Sequence, residues 1–102
     1  MHSDCHRYLK NRIRIRLTDE RWAHIEEEHN ELAGLRTPVL QTIAEPDRVL
    51  VGGAGELLAV REFETGKFLV VVYRERQSDG FVITAFLTRR MASLNRRKQL
   101  WP

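Results

Sequence analysis

The chain has 102 residues, 42% of them hydrophobic and 30% charged, and a formal charge of +3 at neutral pH. That length fits one ordinary domain spanning residues 1–102, and that hydrophobic share excludes a disordered chain. The longest apolar run, Phe68 to Tyr73, is far shorter than the ~18 residues of a membrane-spanning helix, so no membrane role is expected.

Residues 1–11 are polar, lack the apolar stretch of a secretory leader and read as a frayed end. Cys5 is the only cysteine, which excludes an intrachain disulfide. Both features point to the cytoplasm. His2, Cys5 and His6 are soft-ligand types close together, but no second cluster stands at metal-site spacing, so neither a metal nor another cofactor is expected.

Arg12 to Leu17 alternates arginine with Ile13, Ile15 and Leu17, the pattern of a half-buried strand with its arginines outward. Thr18 is a good N-cap, and Asp19 and Glu20 follow in the first turn, where carboxylates suit the helix dipole. The helix is expected to run to Ala33, with Gly34 as its left-handed stop. Thr37-Pro38 signals a second, short helix that Pro46 ends near Ala44 or Glu45.

The period then changes to that of strands. Arg48 to Val51 is one strand, and Gly52 to Gly55 a turn without the lysine and following helix of a phosphate-binding loop. Leu57 to Phe63 leads through Thr65-Gly66 into Phe68 to Tyr73, which is apolar enough to be central in the sheet. After a turn at Gln77 to Gly80, Phe81 to Thr88 is the last expected strand. A basic C-terminal segment, residues 89–102, follows, with Met91, Leu94 and Trp101 needing apolar cover. The predicted fold class is α+β, with N-terminal helices packed on a roughly four-stranded antiparallel meander sheet.

Charge is unevenly distributed. Arg7, Lys10, Arg12, Arg14 and Arg16 stand near the start, and Arg89, Arg90, Arg96, Arg97 and Lys98 near the end. Between them lie Asp19, Glu20, Glu26, Glu27, Glu28 and Glu31, with Arg21. Two readings apply to the basic ends: phosphate contact or an ordinary solvated surface.

Several residues carry candidate chemistry. On the predicted first helix, Trp22, Ile25, His29 and Leu32 fall within about 80° of one another, so His29 shares the packed face. It is either a satisfied core histidine or an acid, base or phosphate donor at the helix–sheet seam. His24 points about 140° away from it, and that five-residue spacing does not suit a metal pair. Thr84 is either a strand residue by its branched shape or a hydroxyl aimed at a phosphate. Arg61, Tyr73 and Arg74 are either edge residues or, in the arginines' case, phosphate-binding forks.

The string Ile15-Arg16-Leu17-Thr18-Asp19-Glu20-Arg21-Trp22-Ala23-His24-Ile25, followed by His29-Asn30-Glu31-Leu32, resembles the start of the PBECR families. These are phage-associated nucleases of the barnase, EndoU, colicin and RelE-like (BECR) group. Ala44 to Val49, Phe68 to Tyr73 and Gly80 to Phe86 extend the resemblance over about Arg12 to Thr88. It departs at Asn30, where many relatives have proline. The resemblance implies helices on a four-stranded antiparallel sheet and a toxin-type, metal-independent endoribonuclease in which the ribose 2′-hydroxyl attacks its own phosphate. It also implies RNA as substrate and an antitoxin or immunity protein as a further partner. By position, His29 and His24 match the family's histidine-bearing helix, Arg61 its strand arginine and Thr84 its late-strand hydroxyl, with Tyr73 available to orient a phosphate. Arg74, Arg89, Arg90, Arg96, Arg97 and Lys98 would then bind the nucleic acid. The alternative is a non-catalytic nucleic-acid- or protein-binding domain that keeps the fold.

Overall fold

In the computed structural model, residues 4–8, 14–77 and 79–101 are described. The chain begins with strands β1 (Asp4–Tyr8) and β2 (Arg14–Thr18), followed by helix α1 (Asp19–Glu28), a 3₁₀ turn at Asn30–Leu32 and helix α2 (Arg36–Ala44). Strands β3 (Arg48–Val51), β4 (Leu57–Glu64), β5 (Lys67–Arg76) and β6 (Asp79–Thr88) come next, then a five-residue helix α3 (Met91–Asn95) and strand β7 (Gln99–Trp101).

The expected four-stranded antiparallel meander is corrected. One seven-stranded mixed sheet runs in the order β1-β2-β6-β5-β4-β3-β7. The hairpin-linked strands β3 to β6 pair antiparallel, but β2 lies parallel to β6, with Arg14, Ile15 and Arg16 opposite Asp79, Gly80 and Phe81. The long intervening segment, from α1 through β5, supplies the connection that a parallel pair needs. The segment expected to be frayed contributes β1, antiparallel to β2. At the far edge β7 pairs with β3. Ile13 and Arg12, expected in β2, lie outside the described residues, as do His2 and the side chains of Cys5, His6, Met91 and Trp101.

Both faces of the sheet are apolar, with unequal cover. α1, the 3₁₀ turn and α2 bury Trp22, Ile25, Leu32, Val39, Leu40 and Ile43 against Ile15, Leu17, Leu69, Val71, Tyr73 and Ala85. On the opposite face Leu94 of α3 closes over Leu50, Leu58, Val60 and Val70. None of the described helices is long and apolar enough to cross a membrane.

α1 starts as predicted: the Thr18 hydroxyl accepts the Arg21 amide at 3.0 Å. It ends at Glu28, five residues before Ala33, and His29 leaves helical geometry with φ −131 and ψ 79. Glu26, Glu27 and Glu28 fill the last turn with no basic residue among them, where the negative end of the dipole disfavours carboxylates. Gly34 does turn left-handed, at φ 76, but after the 3₁₀ turn. α2 begins at Arg36, ahead of the expected Thr37 cap. The Arg36 guanidinium pairs with Asp19 at 2.7 Å and donates to the Leu17 carbonyl at 3.2 Å, tying the two helix starts together.

Candidate nucleic-acid interface

Strand register decides which side chains share a face. In β5, Leu69, Val71 and Tyr73 point to the helices, so Val70, Val72, Arg74 and Arg76 point away. Arg74 is opposite Phe81 and Arg76 opposite Asp79. In β2, Ile15 and Leu17 are buried under the helices, which turns Arg14 and Arg16 to the other side. The face of β2, β6 and β5 away from the helices therefore carries Arg14, Arg16, Arg74, Arg76 and Asp79, with Phe81 among them.

Phe81 is 40% exposed, an unusual position for a large apolar side chain amid charge. Arg16 pairs with Asp79 at 3.4 Å, with the Arg16 side chain 42% exposed. Arg74 donates to the Ala54 carbonyl at 3.0 Å, which holds it against the β3–β4 loop. In that loop the amides of Glu56 and Ala54 donate to the Glu56 carboxylate, and this, aided by the nearby charges of Arg74 and Arg97, lowers its pKa from the usual value.

A bulge in β6 sets the place of Thr84. Val72 is opposite Thr84 but Tyr73 is opposite Val82, so Ile83 is an extra residue. Simple alternation from the helix-facing Val82 would aim Thr84 at the helices; the bulge turns it to the open side. Its hydroxyl is covered and has no hydrogen-bond partner. Tyr73, by contrast, is fully buried under the helices, again with no partner for its hydroxyl. Burial, and secondarily the charge of Glu75, pushes its pKa well above that of an ordinary tyrosine. Burial also raises the Glu75 carboxyl.

The other expected residues do not join one cleft. Arg61 lies on the helix side, opposite Leu69 in register. Its guanidinium reaches the carbonyls of Gln41 and Glu45 at 3.5 and 3.4 Å, at the negative end of α2. It lines a shallow cleft with Pro38, Gln41, Thr42 and Phe63, so a helix-capping role accounts for it. His24 is exposed on α1, its Nε2 3.3 Å from Glu28. His29, one-third exposed, has Nδ1 3.6 Å from Glu31, and its ring centroid is 6.4 Å from that of Phe86 on β6. Of the five proposed catalytic residues, only His29 and Thr84 share a neighbourhood, through Phe86 two residues along the strand.

The basic tail is divided. Arg89 and Arg90 precede α3 and Arg96, Arg97 and Lys98 follow it, all exposed. Among the described residues no group of three or more His, Cys, Asp or Glu side chains could hold a metal ion. The residues of this face that the sequence did not single out are Phe81 and Arg76; Arg14 and Arg16 stood only within the basic start of the chain, for which phosphate contact was one reading. Outward arginines in the alternation of Arg14 to Leu17 were the available signal, but nothing local announces that β2 adjoins β6. No family model, no curated protein and no solved structure matches the chain.

Proposed function

We propose that this protein binds RNA on the open face of its sheet. One observation carries the reading: Arg14, Arg16, Arg74 and Arg76 stand on the side opposite the carboxylates of α1, with Asp79 beside Arg16 and Glu56 near Arg74. A phosphate backbone is attracted to the first surface and repelled by the second. Arginine forks give bidentate phosphate contacts, and each neutralised phosphate releases counterions.

Binding of a labelled RNA oligonucleotide across a salt series tests this. For a single strand the slope of log affinity against log salt is about −0.7 per neutralised phosphate. Arg14→Gln and Arg76→Gln should each weaken binding and flatten the slope by about that amount. A slope unchanged in the double variant would show that RNA binds elsewhere, and no binding at low salt would end the reading.

Cleavage of the bound strand is a second reading, favoured by His29 beside Phe86 and by the unpartnered hydroxyl of Thr84 on the same strand. It agrees with the resemblance to phage-associated nucleases. In such a step a base takes the 2′-hydroxyl proton, that oxygen bonds to phosphorus, and the P–O5′ bond breaks as O5′ is protonated. A 2′,3′-cyclic phosphate remains. His29 suits the proton work, and the arginines of the open face suit the phosphorane charge. Arg61 and Tyr73, on the helix side, have no part in it. Cleavage in EDTA should fall about 10²–10⁴-fold in His29→Ala; full activity in that variant, or loss on adding EDTA, would refute this mechanism.

A further inference from the structure

The Glu31 carboxylate stands 3.6 Å from Nδ1 of His29, two residues away in the chain. On a continuous helix, side chains two apart lie about 200° from each other and do not meet. These two meet because α1 stops at Glu28. His29 leaves helical geometry, and Asn30–Leu32 form the 3₁₀ turn. The bend is fixed on both sides. The His29 amide donates to the Ile25 carbonyl at 2.8 Å, the Leu32 amide donates to the His29 carbonyl at 2.9 Å, and Leu32 is fully buried. Phe86 packs against the imidazole, and one-third of the His29 side chain stays exposed. Among the described residues Nε2 has no partner.

Resting on the cleavage reading, we propose that Glu31 is a positioning residue: its carboxylate holds the imidazole proton of His29 on Nδ1 and leaves the Nε2 lone pair to take the proton of the ribose 2′-hydroxyl. A neutral imidazole donates from one nitrogen and accepts at the other, and the partner of one nitrogen fixes the role of the other. An ionised carboxylate only accepts, so it selects the N–H at Nδ1. A separation of 3.6 Å is longer than a hydrogen bond. Catalytic pairs are often long in the free protein and tighten when substrate binds. As Nε2 takes the 2′-proton, O2′ bonds to phosphorus, the P–O5′ bond breaks and O5′ takes a proton from water. The ring is then a cation beside the Glu31 carboxylate. His24 offers the contrast. Its Nε2 is the nitrogen that faces a carboxylate, Glu28 at 3.3 Å. The same selection there leaves Nδ1, the nitrogen nearer the main chain, as the acceptor.

The test uses the whole chain labelled with nitrogen-15 and reads the imidazole nitrogens of its four histidines by long-range proton–nitrogen NMR. The spectra are taken at about pH 8, where an ordinary histidine is neutral, and His29→Ala assigns the His29 signals. The wild type should show a protonated nitrogen at Nδ1 and a lone pair at Nε2. Glu31→Ala should lose that preference and lower kcat for oligouridylate cleavage in EDTA by up to about 10²-fold, with KM unchanged. Glu31→Gln retains an acceptor oxygen and should retain more of the preference. A proton on Nε2 in the wild type would overturn the proposal, and so would an unchanged tautomer in Glu31→Ala, even with cleavage reduced. Cleavage that depends on His29 would in either case leave the cleavage reading standing. A wild type that cleaves no RNA removes that reading and the role of Nε2 with it. Glu31 is exposed, so both variants should fold; should Glu31→Ala misfold, the wild-type tautomer and Glu31→Gln decide.

Discussion

Tyr73 and Thr84 both carry a covered hydroxyl without a hydrogen-bond partner, but on opposite faces of the sheet. A buried polar group left unpaired costs about 1–3 kcal/mol relative to one that is satisfied. Tyr73→Phe removes such a group and keeps the ring, so it should raise stability by about 1 kcal/mol, seen as a higher urea midpoint at unchanged slope. A lower midpoint would mean that the hydroxyl has a partner in solution. The tyrosine was attractive as a phosphate-orienting group because it ends an apolar strand. Its parity with Leu69 and Val71, legible in the sequence, turns it instead into the helix side. Thr84 could not be read in that way. Its face is set by the extra residue Ile83, and a bulge leaves no mark in a pattern of alternating apolar residues.

At the scale of elements, β6 is where the sheet departs most from expectation. It is paired on one side with β5 through a hairpin and on the other with β2, from far earlier in the chain. Gly80 makes that junction possible. A β-carbon there would meet the Arg74 carbonyl oxygen at 2.6 Å and Ile15 Cδ1 at 2.8 Å. The first of these is backbone and cannot swing aside. Gly80→Ala should destabilise the protein by about 1–3 kcal/mol, whereas Gly53→Ala, where a β-carbon meets nothing within 4 Å, should stay within about 0.5 kcal/mol. Equal midpoints for the two variants in urea would contradict the close approach of β5 and β2 to Gly80 of β6. Local signals found β3 to β6, because turns such as Thr65-Gly66 declare antiparallel neighbours. The parallel neighbour and both edge strands depend on contacts between distant segments, which no window of sequence displays. The end of α1 is a milder case: the stop at Gly34 was visible, but three successive glutamates end the helix earlier and make His29 a cap residue rather than part of a stripe.

Across the whole molecule, charge is sorted by face. The acidic helix covers one side of the sheet, and the arginines of β2 and β5 stand on the other. The sequence showed basic and acidic segments and offered both basic ends and Arg74 for phosphate contact, but the two halves of the tail stand on either side of α3. It also assigned catalysis to Arg61, which caps α2. The arginines that converge do so through strand register: Arg14 and Arg16 with Arg74 and Arg76, around Phe81. The most direct measurement of this account is to titrate isotope-labelled protein with oligouridylate and follow the backbone amide signals by NMR. Shifts should concentrate on Arg14 to Arg16, Arg74 to Arg76 and Asp79 to Phe81, and leave Glu20 to Glu28 of α1 unmoved. Shifts confined to α1 or to the cleft beside Arg61 and Gln41, with the open face silent, would contradict it.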